Sequence, residues 1–316
     1  MKNFYIAVLM LISVSAFAQD EAIFNHYIID KTLINPAAAG FDGTTQLFAH
    51  YRNQWSGFKD APATYNLTFN TPITDKVGLG ALVTKDKVGA YIHDRYQLNY
   101  AYHYTDKDYK WSAGFSTEFH NYGLDASVTN PNINPTIDQK QDYLLASRIA
   151  GASFFDATFG AITTIQDKVT VGFTLPNLIR ARLGQLYGLK DSTPYFLRQF
   201  TLYGAYKIVG DKANFEPSVL FRKPYTAPFE VEINFKGSFL NDALVAGFML
   251  RPGSSGQVGL IIGTKQPQFS IYYSYGISIS QVNSYLNNAN EITFAFEFKK
   301  PEKNSKQERK KKKSEN

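Results

Sequence analysis

The 316-residue chain has no cysteine, so disulfides, thiolate metal sites and a lipid-modified N-terminal Cys are excluded. Long apolar runs are missing too. Phe4 to Val14 is the nearest approach, short of the roughly 20 residues that a bilayer-spanning helix needs. Charged residues make up 19% of the chain, below the usual quarter of a soluble domain. Trp is scarce, with two residues against 25 Phe and 21 Tyr. Outside the last 18 residues there is no net charge: Lys299–Asn316 holds nine Lys and Arg against three Glu, the whole of the +6 balance.

The N-terminus has the parts of a secretory signal. Lys2 is the positive end, Phe4 to Val14 the apolar run, and Ala16-Phe17-Ala18 the cleavage site. Residues 1–18 are therefore expected to be a signal peptide, with the mature chain starting near Gln19 outside the cytoplasm. That removes most of the ground for reading a pI near 9.1 as nucleic-acid binding, and no nucleic-acid partner is expected.

Beyond residue 43 the dominant signal is alternation. Phe229-Glu230-Val231-Glu232-Ile233-Asn234-Phe235-Lys236 puts apolar residues on one side and polar residues on the other. Tyr96 to Tyr104, Trp111 to Phe119, Phe269 to Tyr275 and Ile292 to Phe298 repeat the pattern. The spacing predicts about fourteen strands, at 44–52, 63–71, 76–85, 91–104, 109–120, 152–164, 168–176, 197–208, 212–222, 228–237, 242–251, 256–264, 268–275 and 291–299.

Two kinds of separator alternate between them. Short ones carry turn residues, as in Thr74-Asp75-Lys76, Asp106-Lys107-Asp108, Asp167-Lys168 and Gly210-Asp211-Lys212. Long ones run from Asn53 to Pro62, Asp125 to Gly151, Asn177 to Phe196 and Gly276 to Asn290. Short turns at one end, long loops at the other and strands of about ten residues predict an all-β fold, a transmembrane antiparallel outer-membrane β-barrel. A lipid-embedded strand must pair all its backbone polar groups, which a closed barrel achieves. Tyr102, Tyr104, Tyr109 and Trp111 flank one turn as headgroup anchors would, so outer-membrane lipids are expected partners. Glu230, Glu232, Asn234, Lys236, Gln97, Asn99 and Glu118 would face a wet lumen. The competing reading is a secreted two-sheet protein, whose strands also alternate. Strand parity puts both termini in the periplasm. The expected organisation is a signal peptide (1–18), an N-terminal segment (19–43), a barrel (44–298) and a basic, disordered periplasmic tail (299–316).

In the N-terminal segment, Ile23, Phe24, Tyr27 and Ile28 have the spacing of a short amphipathic helix. The following Asn35-Pro36-Ala37-Ala38-Ala39-Gly40 is stopped from continuing as helix by Pro36, and its small residues allow close backbone approach. Either this segment is a linker or it plugs a lumen that side chains alone do not fill. In the first long loop, Trp55 and Phe58 are rim anchors or partner contacts.

Several motifs together resemble one family. They are Asn35-Pro36-Ala37-Ala38-Ala39-Gly40, Arg52-Asn53-Gln54-Trp55-Ser56-Gly57-Phe58, Ala61-Pro62-Ala63-Thr64, Thr71-Pro72 and Gly78-Leu79-Gly80. The chain resembles the PorP/SprF family, outer-membrane proteins of the type IX secretion system in gliding and related Bacteroidetes. It departs from the family pattern at Ala38, where Tyr is common, at Asn53, where Arg is common, and at Asn290-Glu291-Ile292, which matches a Ser-His-Glu close only loosely. The resemblance implies export or surface attachment of a large adhesin through its C-terminal domain, other periplasmic type IX components as partners, and no catalysis. Asn35, Pro36, Gly40, Trp55 and Phe58 become candidate partner-binding residues.

The residues by themselves offer no catalytic set. His26, His50, His93, His103 and His120 are scattered without metal-ligand spacing, so neither a metal nor a cofactor is expected. Glu118 and His120 share a strand face and read as a solvated structural contact. Gly78-x-Gly80 lacks the strand–turn–helix setting of a phosphate loop and reads as glycine within a strand. A porin-like barrel, or one that carries small apolar ligands, is the alternative function. In the tail, Arg309, Lys310, Lys311, Lys312 and Lys313 are either a solvated charge run or a contact for acidic periplasmic components or headgroups.

Overall fold

The computed structural model describes residues 24–56, 60–125, 151–179, 181–183, 199–224, 228–253, 256–279 and 288–298. The expected signal peptide, Phe58, and the tail with Arg309, Lys310, Lys311, Lys312 and Lys313 lie outside the described residues.

Alternating residues form strands because every second side chain then shares one environment. In chain order the strands are β1 (Thr45–Gln54), β2 (Ala63–Pro72), β3 (Val77–Val88), β4 (Tyr91–Thr105), β5 (Tyr109–Leu124), β6 (Ala152–Ile165), β7 (Val169–Leu175) and β8 (Ala181–Leu183). They continue with β9 (Phe200–Tyr206), β10 (Ile208–Val209), β11 (Ala213–Lys223), β12 (Glu230–Phe239), β13 (Leu244–Arg251), β14 (Gln257–Lys265), β15 (Phe269–Ser278) and β16 (Ala289–Phe298). The short β8 lies on β6 and the two-residue β10 on β11, as outgrowths. The other strands, fourteen among the described residues, form one closed antiparallel ring. β1 closes it against β16, with His50 opposite Thr293 and Arg52 opposite Glu291. β9 bridges β7 and β11. A closed ring leaves no unpaired strand edge.

All fourteen expected strands are present. The largest shift is in β5, expected to end at residue 120 but running to Leu124, because β4 and β5 stay paired to Tyr91↔Leu124. β3 likewise runs to Val88 rather than 85, paired with Tyr91, so the connection between β3 and β4 is a two-residue turn at Gly89-Ala90, on the end where the long loops fall. At the opposite end, Gln166 and Asp167 adopt φ values of 51° and 54°, the left-handed pair of a tight hairpin.

The two faces of the wall are inverted relative to a water-soluble protein. Leu98 and Leu260 are 65% and 64% exposed on the outside, whereas Thr68, Asn70 and Ser116 are 0%, 2% and 0% exposed on the inside. A belt of exposed Tyr, Leu, Phe and Ile is a surface for lipid, and a two-sheet protein would have buried it. Glu230, Glu232, Asn234, Lys236, Gln97, Asn99 and Glu118 all face inward between outward apolar residues, as expected. Glu232, Asn234, Gln97, Asn99 and Glu118, however, are buried rather than wet, each hydrogen-bonded or ion-paired except where Asn99 Nδ2 has no partner. Trp111 lies 5.7 Å from Tyr104 and 6.3 Å from Tyr102, ring to ring, beside one short turn.

Residues Phe24–Thr44 pack against the inward faces of the strands. The expected amphipathic helix is replaced by three 3-10 turns, Asn25–Ile28, Lys31–Leu33 and Pro36–Ala38. Asn25, His26, Tyr27 and Ile28 are all buried, so this stretch has no wet face for an amphipathic helix to present. Asp30 caps the second turn by accepting from the Thr32 N–H, and Asn35 caps the third by accepting from the Ala37 N–H. The apolar core lies where this segment meets the wall. Tyr27 and Ile28 pack with inward-facing Tyr203, Leu220, Val245, Ile261 and Tyr272, and Ala37 and Phe41 with Ile162.

Candidate functional site

Strand pairing aligns four small residues in one row across β3 to β6. Gly78 faces Ala101, Ala101 faces Gly114, and Gly114 faces Gly160. The stretch Asn35–Gly40 runs across the strands along this row. A Cβ on Gly160 would collide with the Asn35 amide oxygen and stand 2.8 Å from Pro36 Cδ. One on Gly114 would meet the Ala37 backbone, and one on Gly78 the Ala39 carbonyl. At the end of the row Gly40 has φ +68°, and a Cβ there would lie 2.8 Å from both Pro72 N and Thr71 O. Glycine is therefore required on both sides of the contact, by space in the wall and by conformation at Gly40.

Short polar bonds hold the two surfaces together. The Asn35 side-chain N–H groups donate to the carbonyls of Ala161 (2.9 Å) and Phe173 (3.2 Å). Ser112 Oγ donates to Ala37 O at 2.8 Å, and Thr174 Oγ1 to Ile34 O at 2.9 Å. Gly40 N–H donates to Asn70 Oδ1 at 3.4 Å. Lys110 donates to the Phe41 carbonyl, its Nζ 4.5 Å above the Phe41 ring.

The opposite end of the segment is held by charge. Glu291 accepts from the backbone N–H of Asn25 (2.8 Å) and of His26 (2.9 Å). Asn25 Oδ1 accepts from Arg52 and Arg251, each at 3.4 Å, and Arg251 pairs with buried Glu232 through Nε at 3.0 Å. Asn234 donates to the Tyr27 hydroxyl at 2.6 Å, and Lys236 to Ile28 O at 3.3 Å. His26 Nδ1 and His50 Nδ1 lie 2.6 Å and 2.7 Å from the single hydroxyl of Thr293, while His50 Nε2 lies 3.2 Å from Asp30 Oδ2. Burial lowers the His26 pKa from 6.5 to about 4, against the pull of Glu291, so its ring is neutral. Arg52, Arg251 and Glu291 sit at the long-loop ends of β1, β13 and β16. The segment thus climbs from Thr44, at the short-turn end, to Asn25 near the long loops.

The site residues expected from sequence divide into two groups. Asn35, Pro36 and Gly40 come together, buried against β2 to β7. Trp55 stands apart at the long-loop end, 38% exposed, with φ 57° and its N–H donating to Asn288 O at 3.1 Å. Glu118 and His120 do meet, at 3.3 Å, but as a buried contact rather than a solvated one, and Arg95 is closer to the carboxylate, at 3.0 Å. His93 and Tyr122 extend this group as stacked rings 4.1 Å apart. The clamp residues Ser112, Gly114, Gly160 and Thr174, and the partners Asn25, Glu232 and Arg251, are not distinguishable by motif. Their one sequence signal is parity: each wall residue among them occupies an inward position of its strand.

The barrel resembles solved outer-membrane barrels. The CymD monoaromatic hydrocarbon channel superposes with a TM-score of 0.52 at 10% identity, covering 88% of this chain and 94% of that one. A TodX monoaromatic hydrocarbon channel mutant gives 0.48 at 9% identity (87% and 94% covered), and Acinetobacter baumannii Omp33 gives 0.47 at 9% (80% and 96%). At such identities the likeness is one of fold alone, and CymD carries it. No curated protein matches the chain. The family model of the type IX secretion system membrane protein PorP/SprF matches residues 16–296. With an outer-membrane barrel fold and a family match over nearly its whole length, the chain belongs to the PorP/SprF family of type IX secretion system membrane proteins.

Proposed function

We propose that this outer-membrane component holds the C-terminal domain of a large surface adhesin while the type IX machinery exports or attaches it, and that Phe24–Thr44 is its lumenal plug. The observation that carries this reading is the packing of that segment. It is anchored to β5–β7 at one end and to β1, β13 and β16 at the other. A pathway for small solutes needs the space that these residues fill. This favours a protein-holding barrel over the porin-like or small-apolar-ligand alternative.

In this reading the short turns face the periplasm. Phe298, paired with Thr45, then leaves the wall on that side, and the long loops face outward. Trp55 and Phe58 contact the partner or anchor the rim there. Asn35, Pro36 and Gly40 serve it indirectly, by fixing the plug. Beyond Phe298, Arg309, Lys310, Lys311, Lys312 and Lys313 would attract acidic periplasmic components of the machinery through a salt-sensitive interaction.

Copurification from native membranes tests the proposal. A stoichiometric complex with an adhesin C-terminal domain is expected, together with closed behaviour in planar bilayers. Porin-like conductance from the unmodified protein, with no secretion component bound, would overturn it. Truncation after Phe298 should weaken association with periplasmic components and leave barrel insertion intact.

A further inference from the structure

Three side chains far apart in sequence converge where the inner segment meets the seam between the first and last strands. His26 comes from the segment, His50 from β1 and Glu291 from β16; one ligand atom from each lies within 4.8 Å of the others, and all three residues are buried. His26 Nδ1 is 3.4 Å from Glu291 Oε1, the spacing of adjacent ligands around one small cation. The hydroxyl of Thr293 stands between the two imidazoles.

The hydrogen bonds set the direction of each donor atom. Asp30 Oδ2 accepts from His50 Nε2–H, which leaves the His50 Nδ1 lone pair pointing at the cluster. A carboxylate on the far nitrogen of an imidazole is the usual outer partner of a metal-bound histidine, because it fixes the tautomer and raises ligand basicity. Glu291 is aimed by the N–H groups of Asn25 and His26. With His50 accepting from the Thr293 O–H, the Thr293 oxygen accepts from His26 Nδ1–H, and His26 Nε2 is left as a buried atom without a partner. That nitrogen belongs to a residue lining a small cavity also lined by Ser274, whose Oγ is likewise unpartnered. Of the charged groups nearby, Arg52 lies 3.8 Å from Glu291 Oε2 and Arg251 pairs with Glu232, while Asp30 is engaged by His50.

We propose that His26, His50 and Glu291 form a binding site for a divalent transition-metal ion of the zinc type, which staples the inner segment to the β1–β16 seam. Two imidazoles and one carboxylate are a zinc-type donor set, and the Thr293 hydroxyl or a water completes four-coordination. The proton on His26 Nδ1 moves to Nε2 as the metal takes Nδ1, so none is lost from the ring. The new N–H then sits on Nε2, the buried nitrogen that has no partner without the metal.

The test uses the full chain, folded in detergent, stripped with a chelator and titrated with Zn²⁺ or with Co²⁺. One equivalent should bind, with visible Co²⁺ absorption bands from a nitrogen–oxygen site. His50→Ala should weaken binding at least 100-fold, and Asp30→Asn, which keeps all three ligands, about 10- to 100-fold. His26→Gln keeps a hydrogen-bonding side chain in the segment but removes the imidazole, and should also abolish the Co²⁺ bands. Heat-modifiable migration on gels reports that each variant barrel is folded. His103→Ala should leave binding unchanged. No stoichiometric uptake by the unmodified protein, or full uptake by a folded His26→Gln/His50→Ala double variant, would overturn the proposal.

Discussion

The side-chain oxygen of Asn35 occupies the space where a Cβ on Gly160 would stand. Gly160 cannot gain a side chain while Asn35 keeps its place. The Asn35 amide reaches the wall carbonyls of Ala161 and Phe173 because the neighbouring strand position has no side chain.

Gly160→Ala should therefore expel this part of the segment. Overpacking costs about 1–3 kcal/mol where neighbours can yield, and here the neighbours include the Pro36 ring and a capping amide. The expected result is new conductance in planar bilayers and faster proteolysis within residues 24–44. Gly204→Ala, where a Cβ meets only Val219 at 3.7 Å, is the control and should behave like the unmodified protein.

Asn35→Asp keeps shape but places a carboxylate against two carbonyl oxygens. It should cost more than Asn35→Ala, which loses the cap and both wall bonds, worth about 1–3 kcal/mol for buried groups left unpaired. Hydrogen exchange at Ala37 to Phe41 should report both substitutions, with faster exchange in the Asp variant. Protection in both variants equal to that of the unmodified protein would show that the wall bonds carry little.

Arg251 and Glu232 form a buried pair beside Asn25. Arg251→Met leaves the Glu232 carboxylate buried without its partner and should destabilise the folded barrel by about 3–5 kcal/mol. Arg251→Met combined with Glu232→Leu should recover most of that loss. Denaturant unfolding in detergent, analysed as a double-mutant cycle, separates the pair from its surroundings.

Depth in the lipid should govern charge insertion on the outer face. Leu260→Arg, within β14, should cost about 2–4 kcal/mol of folding stability in bilayers. Leu240→Arg lies in the turn after β12, 71% exposed, and should cost about 0–1 kcal/mol. Equal costs at the two sites would count against a membrane midplane near Leu260.

The sequence alone determined the strands and the ends on which their connections fall. Alternation is a local property, written into neighbouring residues such as Glu230 to Lys236, so it can be read without any partner. The glycine in Gly78-Leu79-Gly80 was legible as strand glycine, and Asn35–Gly40 as a stretch built for close approach. What each approaches was not legible, since Gly78, Gly114 and Gly160 become one row only when β3 to β6 are paired in register. The tertiary structure also decided that His26, His50 and Glu291 meet. Barrel closure pairs β1 with β16, bringing His50 beside Thr293 across 243 positions of sequence, and the inner segment adds His26 from inside. No periodicity encodes such a contact: ring closure and the packing of the inner segment on the wall create it, because buried polar groups on three separate elements must find their partners in one another.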